Sequence, residues 1–122
     1  MSTYFPVVVF HNPECGTSRK VLEMVGEAGF VPTIIDYRKE GWTRPQLLAL
    51  FAAAGITARQ ALRDKTAPAA ELGLLEPGVP EEVIIEAMLA HPVLVNRPLV
   101  ATPLGVRLCR PAELVKEVLQ KG

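Results

Sequence analysis

The chain has 122 residues, 49% of them hydrophobic and 21% charged, which is the composition of one globular domain and excludes a disordered or fibrous chain. Thirteen basic residues balance thirteen acidic ones, so the broad positive field of a nucleic-acid or anionic-membrane binder is absent and any anion site must be focal. No stretch approaches the roughly 20 apolar residues of a membrane span; the start has no basic, apolar secretory signal, and two cysteines make no disulfide framework, so a cytoplasmic protein with free thiols is expected.

Residues 4–10 are rich in valine and aromatic side chains and read as a first strand buried on both faces. His11-Asn12-Pro13-Glu14-Cys15-Gly16-Thr17-Ser18-Arg19-Lys20 follows and places one thiol where helical spacing begins. From Thr17 onward Val21, Leu22, Val25 and Ala28 form an apolar stripe, and Gly29 offers a left-handed stop. Unpaired first-turn N–H groups, the helix dipole and the cations Arg19 and Lys20 are expected to favour a thiolate at Cys15. The amides of Gly16, Thr17 and Ser18 would equally cradle an oxyanion. Ser18 stands where a C-x-x-C motif has its second cysteine, so a bond formed at Cys15 needs an external thiol, or Cys109, to release it. Residues 33–37 read as a second strand, parallel to the first across the intervening helix.

The middle is helical and broken by turns. Thr43 caps a helix over residues 45–54 that Gly55 closes, and Thr57 caps a shorter one reaching Arg63. A third helix begins near Pro80, with Val83, Ile84, Ala87 and Met88 as its stripe, and ends at His91-Pro92. Residues from about 41 to 92 therefore read as a helical insertion within a single domain spanning 1–122. Residues 98–102 and 106–109 flank the turn Thr102-Pro103-Leu104-Gly105 as a hairpin, and a last helix from Pro111 has Leu114, Val115, Val118 and Leu119 on one face.

A two-residue turn at Pro103-Leu104 pairs Thr102 with Gly105 and, continued, sets Arg97 opposite Arg110. Like charges so placed repel unless an anion lies between them, so the pair either holds an anion or frays into two solvated arginines. If the strand before Arg110 runs alongside the first strand, both arginines reach Cys15 at the carboxyl end of the sheet, where open α/β sheets bind ligands. Cys109, one residue before Arg110, should face the opposite side as a buried, inert thiol. His11 either tunes the thiolate or helps form the Asn12-Pro13 turn, and His91 reads as a helix-end residue. Met24 and Met88 read as core, and Trp42, in a Gly-Trp-Thr turn, as either an exposed packing lid or a contact surface. The widely spaced histidines and cysteines give no zinc signature, and no bound metal is expected.

Taken in order, His11-Asn12-Pro13, Cys15-Gly16-Thr17-Ser18-Arg19, Pro32-Thr33-Ile34-Ile35, Leu62-Arg63, Glu71-Leu72-Gly73-Leu74, His91-Pro92, Asn96-Arg97-Pro98, Thr102-Pro103-Leu104-Gly105 and Leu108-Cys109-Arg110-Pro111 resemble the glutaredoxin-coupled arsenate reductases. The resemblance implies an α/β fold, a thioredoxin-like mixed four-stranded sheet with flanking helices and a helical insertion. It implies Cys15 as nucleophile, His11 as a supporting catalytic residue, Arg63, Arg97 and Arg110 as oxyanion ligands, and a cis bond before Pro98. Glutathione as co-substrate and glutaredoxin as partner follow from it, with no resident cofactor. Two other readings stand beside it: a general glutathione-linked thiol reductase, and a regulator that binds RNA polymerase, a group that typically carries the C-x-x-C that Ser18 interrupts.

Overall fold

The structure, a computed structural model, describes residues 5–63 and 67–119. It divides into two compact units, one made of the chain up to Asp36 and from Arg97 onward, the other of Tyr37–Asn96.

The first unit holds strands β1 (Val8–His11), β2 (Thr33–Asp36), β3 (Leu99–Thr102) and β4 (Gly105–Leu108), helix α1 (Gly16–Glu27) and a 3₁₀ helix, Ala112–Val118. The sheet order is β2-β1-β3-β4. β1 and β2 are parallel, as the strand–helix–strand pattern predicts, and β3 is antiparallel to both its neighbours. The first strand begins later than predicted and runs on to His11, while Tyr4 lies outside the described residues. β4 is not the neighbour of β1; the hairpin docks through β3, leaving β4 at the edge. Its direction still matches that of β1, so their carboxyl ends meet at one end of the sheet, where Phe10, Leu99 and Leu108 form a single cross-strand row.

One face of this sheet carries Val9 and Val100, which pack with Val21 and Val25 of α1 and with Val115 and Val118 of the 3₁₀ helix. Each such side chain removed from water contributes roughly 1.5–3 kcal/mol. Ala28, placed on the α1 stripe by the sequence, is instead the exposed C-cap, and Gly29 follows with φ +92°. The last helix buries Val115, Val118 and Leu119 of the predicted face, with Ala112 taking the place of the half-buried Leu114. The spacing of three from Ala112 through Val115 to Val118 is the reason, since a 3₁₀ helix stacks every third side chain on one side. The Thr102 hydroxyl donates to the Val118 carbonyl at 2.5 Å and accepts from the Leu104 N–H at 3.1 Å, holding the turn. The Arg97–Pro98 bond is cis, as is Arg110–Pro111.

The second unit holds helices α2 (Tyr37–Glu40), α3 (Arg44–Ala54), α4 (Ala58–Ala61), α5 (Ala67–Glu71) and α6 (Glu81–Ala90), then a 3₁₀ turn, Pro92–Leu94. α3 and α4 both start with full capping boxes, Thr43 with Gln46 and Thr57 with Gln60, and Gly55 ends α3 in the left-handed region at φ 69°. α4 ends at Ala61, two residues before Arg63, because its end is drawn into a bridge, Leu62 with Val95, in which Asn96 N–H donates to the Ala61 carbonyl. Two short helices, α2 and α5, were not expected. On α6 it is Ile84, Ile85 and Met88 that are buried, while Val83 is exposed. Trp42 is no exposed contact: it stacks on Tyr37 with centroids 5.1 Å apart and its indole N–H donates to the Pro92 carbonyl at 3.2 Å. No helix among the described residues is long and apolar enough to cross a membrane.

Candidate active site

At the carboxyl end of β1 the chain turns through His11-Asn12-Pro13-Glu14 before α1 begins. The Asn12 side-chain carbonyl accepts the Glu14 N–H at 3.0 Å, and its backbone carbonyl accepts the Cys15 N–H at 2.9 Å. This Asx-type turn delivers Cys15 to the N-cap of α1 in an extended conformation, with its Sγ beside the first helical turn. The Asn-Pro pair marked the turn in the sequence; that Asn12 is itself 4% exposed, and so a fixed strut of the site, was not legible there.

The hairpin register supplies the cations. β3 and β4 pair Thr102 with Gly105 and Leu99 with Leu108, and the Cys109 N–H to Pro98 carbonyl bond at 2.9 Å extends the ladder by one more pair. Arg97 and Arg110 are thus brought opposite each other as the turn length predicts. Arg110 Nη1 donates to the Arg97 carbonyl at 3.1 Å and lies 3.6 Å from Cys15 Sγ. The sulfur that these arginines flank is one whose ionised form they favour.

Burial of Cys15, which is 8% exposed, pushes its thiol pKa up, but the backbone N–H of Ser18 and the guanidiniums of Arg97 and Arg110 outweigh that and leave it below the ordinary 9.0. The Ser18 N–H acts as an aligned dipole, since no closed side-chain cap hydrogen bond forms at Cys15. Arg19 and Lys20, assigned to the thiolate by their nearness in sequence, do not act on it: the Arg19 guanidinium turns back to the Pro13 carbonyl at 2.7 Å, and Lys20 is exposed along α1. Gly16 and Thr17 open the helix beside the sulfur, and a Cβ at Gly16 would meet nothing nearer than Arg19 Nη2 at 3.9 Å.

Ser18 meets the sulfur through its backbone alone. Its side chain is fully buried, with Oγ 2.6 Å from His11 Nδ1 and accepting the Asn12 N–H at 3.2 Å, so only its backbone is turned toward the sulfur. His11 is 8% exposed and closes β1. Cys109 lies in the core on the far side of the strand from Arg110, fully buried, with its thiol pushed up to about 12 by desolvation. Arg63 stands in the helical unit, where its N–H donates to the Leu94 carbonyl at 2.8 Å and its Nη1 to Asn96 Oδ1 at 3.4 Å. Among the described residues no group of His, Cys, Asp or Glu is placed to hold a metal ion. A nucleophilic sulfur, two guanidiniums and amide dipoles converging on one point are the equipment for attack on an oxyanion centre.

Comparison with known proteins gives a consistent result. A profile of the ArsC family matches residues 10–118. The arsenate reductase ArsI2 of Synechocystis sp. is 58% identical over 113 residues, covering 93% of this chain and 81% of that protein. An arsenate reductase of Escherichia coli is 50% identical over 119 residues, covering 95% and 84%. Among solved structures, an arsenate reductase from Vibrio cholerae superposes with a TM-score of 0.91 at 31% identity, covering 96% of this chain and 100% of that one.

Proposed function

The chain belongs to the ArsC family, and on that footing we propose that it reduces arsenate to arsenite, drawing electrons from glutathione and glutaredoxin. The observation that carries the reading is the convergence of Arg97, Arg110 and the Ser18 amide on a single thiol, with Arg110 Nη1 at 3.6 Å. Planar guanidinium forks bind two oxyanion oxygens at once, and the helix-start amides of Gly16, Thr17 and Ser18 add aligned dipoles. Arg63 is the third arginine ligand, carried over from the family resemblance, and His11 is the supporting residue of the thiolate.

The Cys15 thiolate attacks arsenic, an As–S bond forms, and one arsenate oxygen leaves as water after protonation. The glutathione thiol displaces a second oxygen from arsenic as water, a glutaredoxin thiol then attacks the glutathione sulfur so that the sulfur–arsenic bonding pair passes to arsenic, and water hydrolyses the remaining Cys15–arsenic bond. Arsenic gains two electrons, the two external thiols lose them and end as a mixed disulfide, and Cys15 returns to the thiolate as arsenite departs. Cys109 has no part, because its sulfur is buried in the core and held protonated.

The test is arsenate-dependent NADPH oxidation coupled through glutathione reductase, with glutathione and glutaredoxin present. Cys15→Ser should be inactive and Cys109→Ser active. Arg97→Ala and Arg110→Ala should each raise the KM for arsenate far more than Arg44→Ala, since Arg44 is engaged by Glu82 and Glu86. An active Cys15→Ser removes the nucleophile; a wild type inert toward arsenate but competent in glutathione exchange replaces this reading with the general thiol reductase.

A further inference from the structure

The side chain of Ser18 has two partners and one proton, and together these decide the state of a third group. Oγ accepts the Asn12 N–H at 3.2 Å and sits 2.6 Å from His11 Nδ1, all within the buried interior of the thiol loop. A hydroxyl that already accepts an N–H satisfies itself by donating its own proton, and the acceptor within reach is Nδ1. The His11 proton then belongs on Nε2. The same oxygen ties Asn12, whose carbonyl and side chain build the turn before Cys15, to the third residue of α1. That residue's own N–H faces the Cys15 sulfur.

We infer that Ser18 is a positioning residue for the thiol chemistry: its hydroxyl locks His11 in the Nε2–H tautomer and clamps the His11–Asn12 turn onto the first turn of α1, fixing the amide that supports the Cys15 thiolate. This deepens the role given above to Cys15 and rests on that reading, but it assigns the Ser18 hydroxyl to the protein's own scaffold and not to substrate. The choice of serine over cysteine at this position then has a physical reason besides redox: sulfur is a weak donor and acceptor, with contacts longer than 2.6 Å, and would serve neither partner as well.

The decisive measurement is the ¹⁵N spectrum of histidine-labelled wild type at a pH where the imidazole is neutral, with the resonances of the two histidines separated by a His91→Gln variant. An unprotonated Nδ1 and protonated Nε2 on His11 are expected; a protonated Nδ1 overturns the inference. Ser18→Ala should give mixed tautomers and a several-fold slower alkylation of Cys15 at neutral pH, read by mass spectrometry of the Cys15 peptide, and should lower kcat more than it raises KM. Ser18→Thr, which keeps the hydroxyl, should restore the wild-type ¹⁵N pattern and most of the alkylation rate. Unchanged alkylation and tautomer in Ser18→Ala defeat the idea, and if that variant does not fold, the wild-type spectrum still decides. The tautomer and alkylation readouts do not involve arsenate, so a failure of the proposed reaction would show separately as an inert wild type with the clamp intact.

Discussion

Cys15 and Cys109 are both buried sulfurs, yet their surroundings drive them in opposite directions, and the difference is chemical. Desolvation acts on both; only Cys15 meets cations and an amide dipole strong enough to reverse it. A thiol whose folded-state pKa lies below its unfolded value binds fewer protons when folded, so Cys15 adds stability that is fully present above 9.0 and fades as pH falls through its folded pKa. Alkylation of Cys15 should therefore reach half its maximal rate below pH 9.0, and Arg110→Ala should move that midpoint upward, because the guanidinium 3.6 Å from the sulfur is gone. Cys109 runs the other way. The unfolded chain releases its proton above 9.0 while the folded chain holds it to about 12, so across that window Cys109 withdraws about 1.4 kcal/mol of stability per pH unit. Urea denaturation between pH 8 and 10.5 should show a shallower decline for Cys109→Ala than for wild type, from a lower starting stability, since the substitution leaves a small cavity in the core.

At the scale of elements the hairpin is what converts sequence into a site. Thr102 and Gly105 pair across the two-residue turn, and every later pair, out to Arg97 and Arg110, inherits that register. Gly105 holds φ +142°, a region that a side chain rarely tolerates, although a Cβ there would meet no atom within 4 Å. Gly105→Ala should thus cost about 1–3 kcal/mol from backbone strain alone, measured as a lowered urea midpoint, and any relief by a register slip would also part Arg97 from Arg110 and show as a raised KM. This turn was legible because its chemistry is local, as were the Thr43 and Thr57 capping boxes and the Gly55 stop. What escaped lacks a local signature. α2 and α5 are too short to show a helical period, and the C-terminal segment, whose Val115, Val118 and Leu119 are buried as its apolar pattern predicts, is a 3₁₀ helix that adds Ala112 in place of Leu114. In the site itself, Arg19 and Lys20 were given a role by adjacency that belongs to arginines brought from the other end of the chain, and the burial of Ser18 depends on a histidine on a different element.

Over the whole molecule thirteen basic and thirteen acidic residues leave no net charge, and several arginines are already engaged by other groups. Arg44 is held by Glu82 and Glu86, Arg107 pairs with Glu117 at 3.3 Å, and Arg59 donates to the Glu76 and Val79 carbonyls. Capture of an oxyanion must therefore rely on short-range contacts at Arg97 and Arg110 and not on diffusional steering, which needs a net charge or a broad patch of one sign. Screening distinguishes the two. The Debye length shortens from about 30 Å at 0.01 M salt to about 8 Å at 0.15 M, which would sharply slow a steered encounter but leaves a contact between a guanidinium fork and an oxyanion largely intact. Added sodium chloride should accordingly change kcat/KM for arsenate only slightly over that range. Sulfate or phosphate at matched ionic strength should raise the apparent KM without lowering kcat, because a tetrahedral oxyanion occupies the same forks. A steep chloride dependence with no added effect of sulfate would mean that substrate is gathered by a diffuse field, and the convergence of two arginines on one sulfur would then serve the thiolate alone.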